Sequence, residues 1–166
     1  IKALLDYDGP AYVRLGRLPV PVINDFPGYH FEIGKGIQLR EGDDAAILAT
    51  GLMVSRALEA ADLLQKQGIR ARVINLHTIK PLDRELVLKA ARETGLLVTV
   101  EEHNVIGGLG SAVSELCGEE YPVRVVKIGV QDEFGMSGPA LELLDHYGLN
   151  ASGIVRTVQE AVKAKA

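Results

Sequence analysis

The chain carries a single cysteine, Cys117, in 166 residues. An intramolecular disulfide is therefore excluded, and the usage fits a reducing compartment, read here as the cytoplasm. No apolar run approaches the roughly 18 residues of a membrane-spanning helix, and no signal peptide precedes the folded pattern. A basic run is missing too. The 18 Lys+Arg stand against 22 Asp+Glu, and a net charge of −4 argues against an electrostatic grip on nucleic acid or anionic lipid. The histidines, His30, His77, His103 and His146, show no ligand spacing with one another or with Cys117, so no metal site is encoded. There is no Walker-type loop, no serine in a nucleophile elbow, no internal repeat and no low-complexity tract. The first residue is Ile1 and not methionine, which points to a piece of a longer chain.

What is present is ordinary globular composition, 47% hydrophobic and 24% charged. At this length about 68–70% of the unfolded surface is buried on folding, enough for a core without metal or disulfide. The first 34 residues differ from the rest. Ala11–Leu15 reads as a short strand after the Gly9-Pro10 turn signal, with nothing following to cover it. Residues 19–34, with Pro19, Pro21 and Pro27 and no periodicity, read as an extended linker. A lone strand has no core of its own, so residues 1–18 read as the tail of a preceding domain. The alternative is that this strand pairs with the edge of the following sheet.

From Gly36 the pattern is regular. Gly36–Arg40 predicts an edge strand, and Ala45–Thr50 one buried on both faces. A helix carrying Val54, Ala57, Leu58, Ala61 and Leu64 on one stripe ends at Gly68. Arg70–Leu76 is the next strand. Pro81 and Asp83 open a helix that buries Leu86, Val87, Ala90 and Ala91 and stops at Gly95. Leu96–Glu101 and Val123–Ile128 are further strands, separated by a glycine-rich turn and a helix with Ala112, Val113, Leu116 and Cys117 on its apolar side. Two helices, from Pro139 to Tyr147 and from Ser152 on, complete the chain. Alternating strands and helices predict an α/β fold with a mostly parallel sheet and helices on both faces.

Three places invite chemistry. The turn Gly107-Gly108-Leu109-Gly110-Ser111 follows a strand and opens a helix, where backbone N–H groups hold phosphates. It fails as a dinucleotide fingerprint because Val113 stands where a third small residue is required. Tight packing or contact with a partner chain is the favoured reading of Gly107, Gly108 and Gly110. Glu101-Glu102-His103-Asn104 lies at the carboxyl end of a strand, the edge where open parallel sheets bind ligands. A carboxylate beside an imidazole is an acid/base pair in principle, but neighbours on a strand point to opposite faces, so a solvated or interface role is favoured for Glu101, Glu102 and His103. Arg14 and Arg17 flank the end of the orphan strand, placed either to clamp a phosphorylated substrate or to pair at a domain interface. Cys117 reads as a small core residue.

Taken in order, Gly9–Arg17, Ile33–Gly36, Ala46–Gly51 with Ala57–Ala61, Lys80–Asp83, Val100–Glu102 and Gly107–Ser111 resemble the C-terminal region of the transketolase family. This family of thiamine diphosphate enzymes includes transketolase, 1-deoxy-D-xylulose-5-phosphate synthase and the beta subunits of 2-oxo acid dehydrogenases. The segment Ile128–Gly138 resembles transketolase most, while Lys80–Asp83 and Val100–Glu102 with the glycine turn also resemble the deoxyxylulose-phosphate synthase. The resemblance implies a three-layer α/β/α domain over residues 35–166 with one antiparallel edge strand, and makes residues 1–18 the end of a pyrimidine-binding domain. It implies two-carbon ketol transfer between sugar phosphates in the pentose phosphate pathway. Thiamine diphosphate and Mg2+ would serve the full enzyme, with none on this piece. The Gly-Asp-Gly motif that holds them is missing here, since Gly42-Asp43-Asp44 does not match it. The implied partners are the missing diphosphate-binding and pyrimidine-binding domains, on the same chain or a separate subunit, and a second copy in a homodimer. A substrate-phosphate contact falls on Arg14 or Arg17, and this piece alone is expected to be inactive. The rival from another class is a free-standing nucleotide-binding or adaptor α/β module.

Overall fold

The fold was analysed in a computed structural model that describes residues 1–165. The chain opens with a one-turn helix, α1 (Lys2–Leu5), and then runs without helix or strand as far as residue 36. The strand expected over Ala11–Leu15 is not formed, and it pairs with neither sheet edge. A strand exists through its hydrogen-bonded neighbour, and no partner for this segment lies among the described residues. Tyr12 is 90% exposed, with Ile1, Leu5 and Leu15 similarly open to solvent. Leu18 and Ile23, by contrast, pack against the domain core.

The remaining elements are β1 (Ile37–Arg40), β2 (Ala45–Ala49), α2 (Met53–Gln65), β3 (Ala71–Asn75), α3 (Arg84–Thr94), β4 (Leu96–Asn104), α4 (Leu109–Glu120), β5 (Arg124–Val130), α5 (Ala140–His146) and α6 (Ala151–Lys163). The strands form one sheet in the order β1-β3-β2-β4-β5. β2 pairs in parallel with β3 and β4, β4 pairs in parallel with β5, and β1 runs antiparallel to β3 at the edge. This is the expected mostly parallel sheet with a single antiparallel edge strand. Every residue of β2 is buried, as an apolar strand covered on both faces must be.

Alternation along the strands divides the core in two. Ala45, Ile47 and Ala49 of β2, with Leu96, Val98 and Val100 of β4, meet α2 and α6. Ala46, Leu48 and Leu97 meet α3 and α4 on the opposite face. Helix ends follow local chemistry. The Asp83 carboxylate caps α3, accepting from Leu86 N at 3.2 Å, and its second oxygen accepts from Gly36 N at 2.9 Å. Gly95 closes α3 in the left-handed region at φ 62°. Asn150 caps α6 through Gly153 N at 2.8 Å. Because Asp83 ties the start of α3 to the entry of β1, Asp83→Ala is expected to destabilise the chain by about 1–3 kcal/mol, more than an isolated cap. Chemical denaturation of the two proteins measures it.

Candidate functional site

The sheet reverses direction of growth after β3: the chain passes from β2 to β3 on one side, then crosses back to β4 on the other. The carboxyl ends of β2 and β4 therefore frame the crevice where open α/β sheets place ligands. Thr50 N donates to Val100 O at 3.3 Å across this point. Here β4 continues beyond the expected Glu101 to Asn104, with an irregular register past Val100.

Glu101 shares its parity with Leu97 and Thr99 and turns toward α4. It is 1% exposed, and its carboxylate accepts from Leu109 N at 2.7 Å and Gly110 N at 2.8 Å. These amides belong to the first turn of α4, the place where an isolated helix start would hold an anion. The protein supplies that anion from its own strand. The glycines exist for this approach. A Cβ on Gly108 would stand 2.0 Å from Glu101 Oε2, and one on Gly110 would meet Thr99 Oγ1 and Lys127 Cδ at 2.9 Å. The glycine turn thus reads as close packing, and its phosphate-binding capacity is already used by a carboxylate.

The neighbours diverge as strand alternation requires. Glu102 turns to the α2 side, where it lines a cavity of about 200 Å³ with Gly16, Arg17, Leu18, Leu52 and Ala140. His103 is exposed, its Nδ1 2.8 Å from Asn104 O. No acid/base pair forms between Glu102 and His103 among the described hydrogen bonds. Gly107 is exposed at the loop tip and bonds through its N to Ser111 Oγ at 2.8 Å. Arg14 and Arg17 are both exposed, and neither enters an ion pair among the described residues. Of the expected site residues, the structure brings Glu101, Gly108 and Gly110 together as one buried unit, and Arg17 with Glu102 at one cavity. Arg14 and Gly107 stand apart from both.

His77 was missed as a positioned group. Its ring stacks on Phe31 of the linker at 4.3 Å between centroids, and its Nδ1 lies 2.9 Å from Thr78 Oγ1. Burial lowers its pKa below the ordinary 6.5. The unfolded chain then binds more protons than the folded one, so this contribution is complete above about pH 6.5 and is lost as pH falls through the lower folded value. A His77→Gln variant is expected to flatten the decline of melting temperature between pH 7 and 5, measured by calorimetry.

The described residues do not fit a thiamine diphosphate and Mg2+ site. The α4 amides are held by Glu101, Asp44 Oδ2 accepts from Arg70 N at 2.6 Å, and Asp43 pairs with the Arg70 guanidinium at 2.9 Å. No group of three or more His, Cys, Asp or Glu side chains is placed to hold a metal among the described residues. No helix among them is long and apolar enough to cross a membrane.

Comparison with known proteins agrees with this architecture. The family model described as transketolase, C-terminal domain, matches residues 34–154. The 6-deoxy-6-sulfo-D-fructose transketolase subunit SqwH of Clostridium sp. (strain MSTE9) is 49% identical over 162 residues, which is 98% of this chain and 50% of that protein. The 1-deoxy-D-xylulose-5-phosphate synthase of Heliobacterium modesticaldum is 46% identical over 166 residues, 99% of this chain and 26% of that protein. A split-gene transketolase solved as an inactive β4 tetramer superposes with a TM-score of 0.93 at 51% identity, covering 99% of this chain and 54% of that one. The chain thus spans about half the length of the transketolase-subunit relative and about a quarter of the synthase. A match across 34–154, a shared fold and near-half identity over almost every residue lead to one statement: the chain belongs to the transketolase C-terminal domain family.

Proposed function

We propose that this chain is the C-terminal assembly domain of a thiamine diphosphate-dependent transketolase that moves a two-carbon ketol unit between sugar phosphates. The observation that carries this reading beyond family membership is the open N-terminal segment: residues 1–15 expose Tyr12, Leu15 and Ile1 and pair with no strand among the described residues. Residues 1–18 then finish a pyrimidine-binding domain, 19–34 link it, and 35–166 form the C-terminal domain. The diphosphate-binding and pyrimidine-binding domains hold the cofactor and Mg2+, and the working unit is a cytoplasmic homodimer acting in the pentose phosphate pathway. When bound there, the cofactor supplies the carbanion chemistry.

This chain's own residues orient and hold. Arg14 or Arg17, at the exit of the preceding domain, takes the substrate phosphate. His103 and Gly107 supply the exposed part of a subunit contact, and the half-buried Glu102 borders it. Glu101, Gly108 and Gly110 act on it from inside, by fixing where α4 and its loop begin. The 46% identity to a deoxyxylulose-phosphate synthase supports a second reading, condensation of pyruvate with glyceraldehyde phosphate. The test restores the upstream sequence, with any partner subunit, and runs both assays. Ketol transfer between sugar phosphates is the expected activity, and activity in the pyruvate assay alone overturns the choice while keeping the family.

A further inference from the structure

We propose that residues 24–33 form a strap that lies closed on the domain only while His77 is uncharged, so that acid opens it. The strap is pinned at both ends. Leu18 and Ile23 pack against the core before it. After it, Gly36 N donates to Asp83 Oδ2 at 2.9 Å, and Gly34 comes so near Pro81 that a Cβ would stand 3.0 Å from its Cγ. Between the pins the segment has neither helix nor strand. Its Tyr29 N donates to Phe26 O at 3.2 Å, a turn bond that shapes the strap without fastening it to the sheet.

What holds the middle is a contact between rings. Phe31 stacks on His77, in the loop after β3, with 4.3 Å between centroids and 29° between planes. His77 Nδ1 lies 2.9 Å from Thr78 Oγ1, while its Nε2 is buried with no hydrogen-bond partner among the described residues. A neutral ring tolerates this arrangement, with its proton on Nδ1 donated to the hydroxyl oxygen and Nε2 left as a bare acceptor. Protonation puts an N–H on Nε2 that nothing receives, and a charge that no carboxylate pairs with among the described residues. The closed strap also leaves Asn24 Oδ1 buried without a partner. Opening gives both atoms to water, which keeps the margin in favour of closure small.

No other charge explains the switch. The charged and titratable groups beside the two rings are His30, Glu32 and Lys35 on the linker, and Lys80, Asp83 and Glu85 on the segment that follows His77. Lys35 lies 3.6 Å from Glu85, and the Asp83 carboxylate is taken by the amides of Gly36 and Leu86. On β1, Arg40 turns to Asp62 of α2. Burial is the cause that lowers the His77 pKa from 6.5, in agreement with the unpartnered Nε2. A ring that is harder to protonate when covered favours the covered state above about pH 6.5, and that preference is lost as pH falls through the lowered value. Closure then weakens by up to about tenfold for each pH unit within that window.

The experiment follows the 166-residue chain by nuclear magnetic resonance. It reads the protection of the Tyr29 amide, corrected for the intrinsic exchange rate at each pH, together with the titration of the His77 ring. The expected protection is about five- to thirtyfold lower at about pH 5 than at about pH 7.5, with the amides of β2 and β4 unchanged. His77→Phe keeps a ring for Phe31 and removes the proton site, so Tyr29 should stay protected at both pH values. Phe31→Ala should leave Tyr29 unprotected at both and return the His77 titration to the ordinary 6.5. His30→Gln should leave the pH dependence as it is. Equal protection at the two pH values in the parent chain overturns the proposal. So does a fall that persists in His77→Phe, a fall abolished by His30→Gln, or an unmoved His77 titration in Phe31→Ala. A fall shared by β2 and β4 overturns it as well, because the whole fold and not the strap is then what acid opens.

Discussion

Glu101→Ala is expected to lower the melting temperature of the chain by about 4–24 °C. The substitution leaves two amides at the buried start of α4 without a partner, at about 1–3 kcal/mol each, and one kcal/mol corresponds to about 2–4 °C in a domain of this size. The side chain is also a negative charge at a helix N-terminus, so its loss removes a favourable dipole interaction as well. Glu101→Gln keeps one acceptor but turns an NH2 group toward a backbone N–H, and should fall between the wild type and the alanine variant. Gly108→Ala destabilises by another route, because its Cβ would stand 2.0 Å from the Glu101 oxygen and force the carboxylate away from the amides. The two changes share one contact and cannot add. The double variant should be close to Glu101→Ala alone, and a double-mutant cycle by calorimetry reads the difference. Additive losses would show that the glycine and the carboxylate act separately.

In the restored enzyme, replacing the arginine proposed to hold the substrate phosphate should lower kcat/KM for a phosphorylated acceptor by about ten- to a hundredfold. A hydrogen bond to a charged group contributes about 1.5–3 kcal/mol, and each 1.4 kcal/mol is about a factor of ten. Arg14 and Arg17 are the two candidates, three positions apart and both exposed. One of Arg14→Ala and Arg17→Ala should carry the loss and the other should stay within about twofold of the parent, as exposed charges do. The deciding control is an acceptor without phosphate. Its turnover should be unchanged in the sensitive variant, because only the group that the guanidinium recognises has been removed. Equal losses for both acceptors would mean that the arginine supports the domain junction instead.

The regular part of the fold was legible because its signals are local. Ala45–Ala49 has no polar residue to face water, Asp83 precedes a helical stripe by the right spacing, and Gly95 stands where that stripe ends. The family resemblance agreed with the same elements. The segment Ala11–Leu15 failed for the complementary reason. Its composition suits a strand, but a strand is completed by a neighbour, and none is present within 1–165. The short α1 is held by a single turn and left no periodic signal to read.

The candidate site was legible in position, with close packing the expected role of the glycines, but the role of Glu101 was not. Glu101-Glu102-His103-Asn104 was recognised as the ligand-facing end of a strand, and the glycines as a helix start. What joins them is a contact between residues eight and nine positions apart, through a carboxylate that local propensity assigns to solvent. One signal was available: Glu101 keeps the parity of Leu97 and Thr99, which puts it on the α4 side. His77 had no such signal, because its partner Phe31 lies in the linker, 46 positions earlier and without periodicity of its own.

Titration of thiamine diphosphate, with Mg2+, into the 166-residue chain and into the chain restored with its upstream domains and any partner subunit tests the central claim most directly. The account predicts no binding heat from the 166-residue chain, whose α4 amides are held by Glu101, and stoichiometric binding by the restored assembly. Stoichiometric binding by the 166-residue chain alone would contradict it.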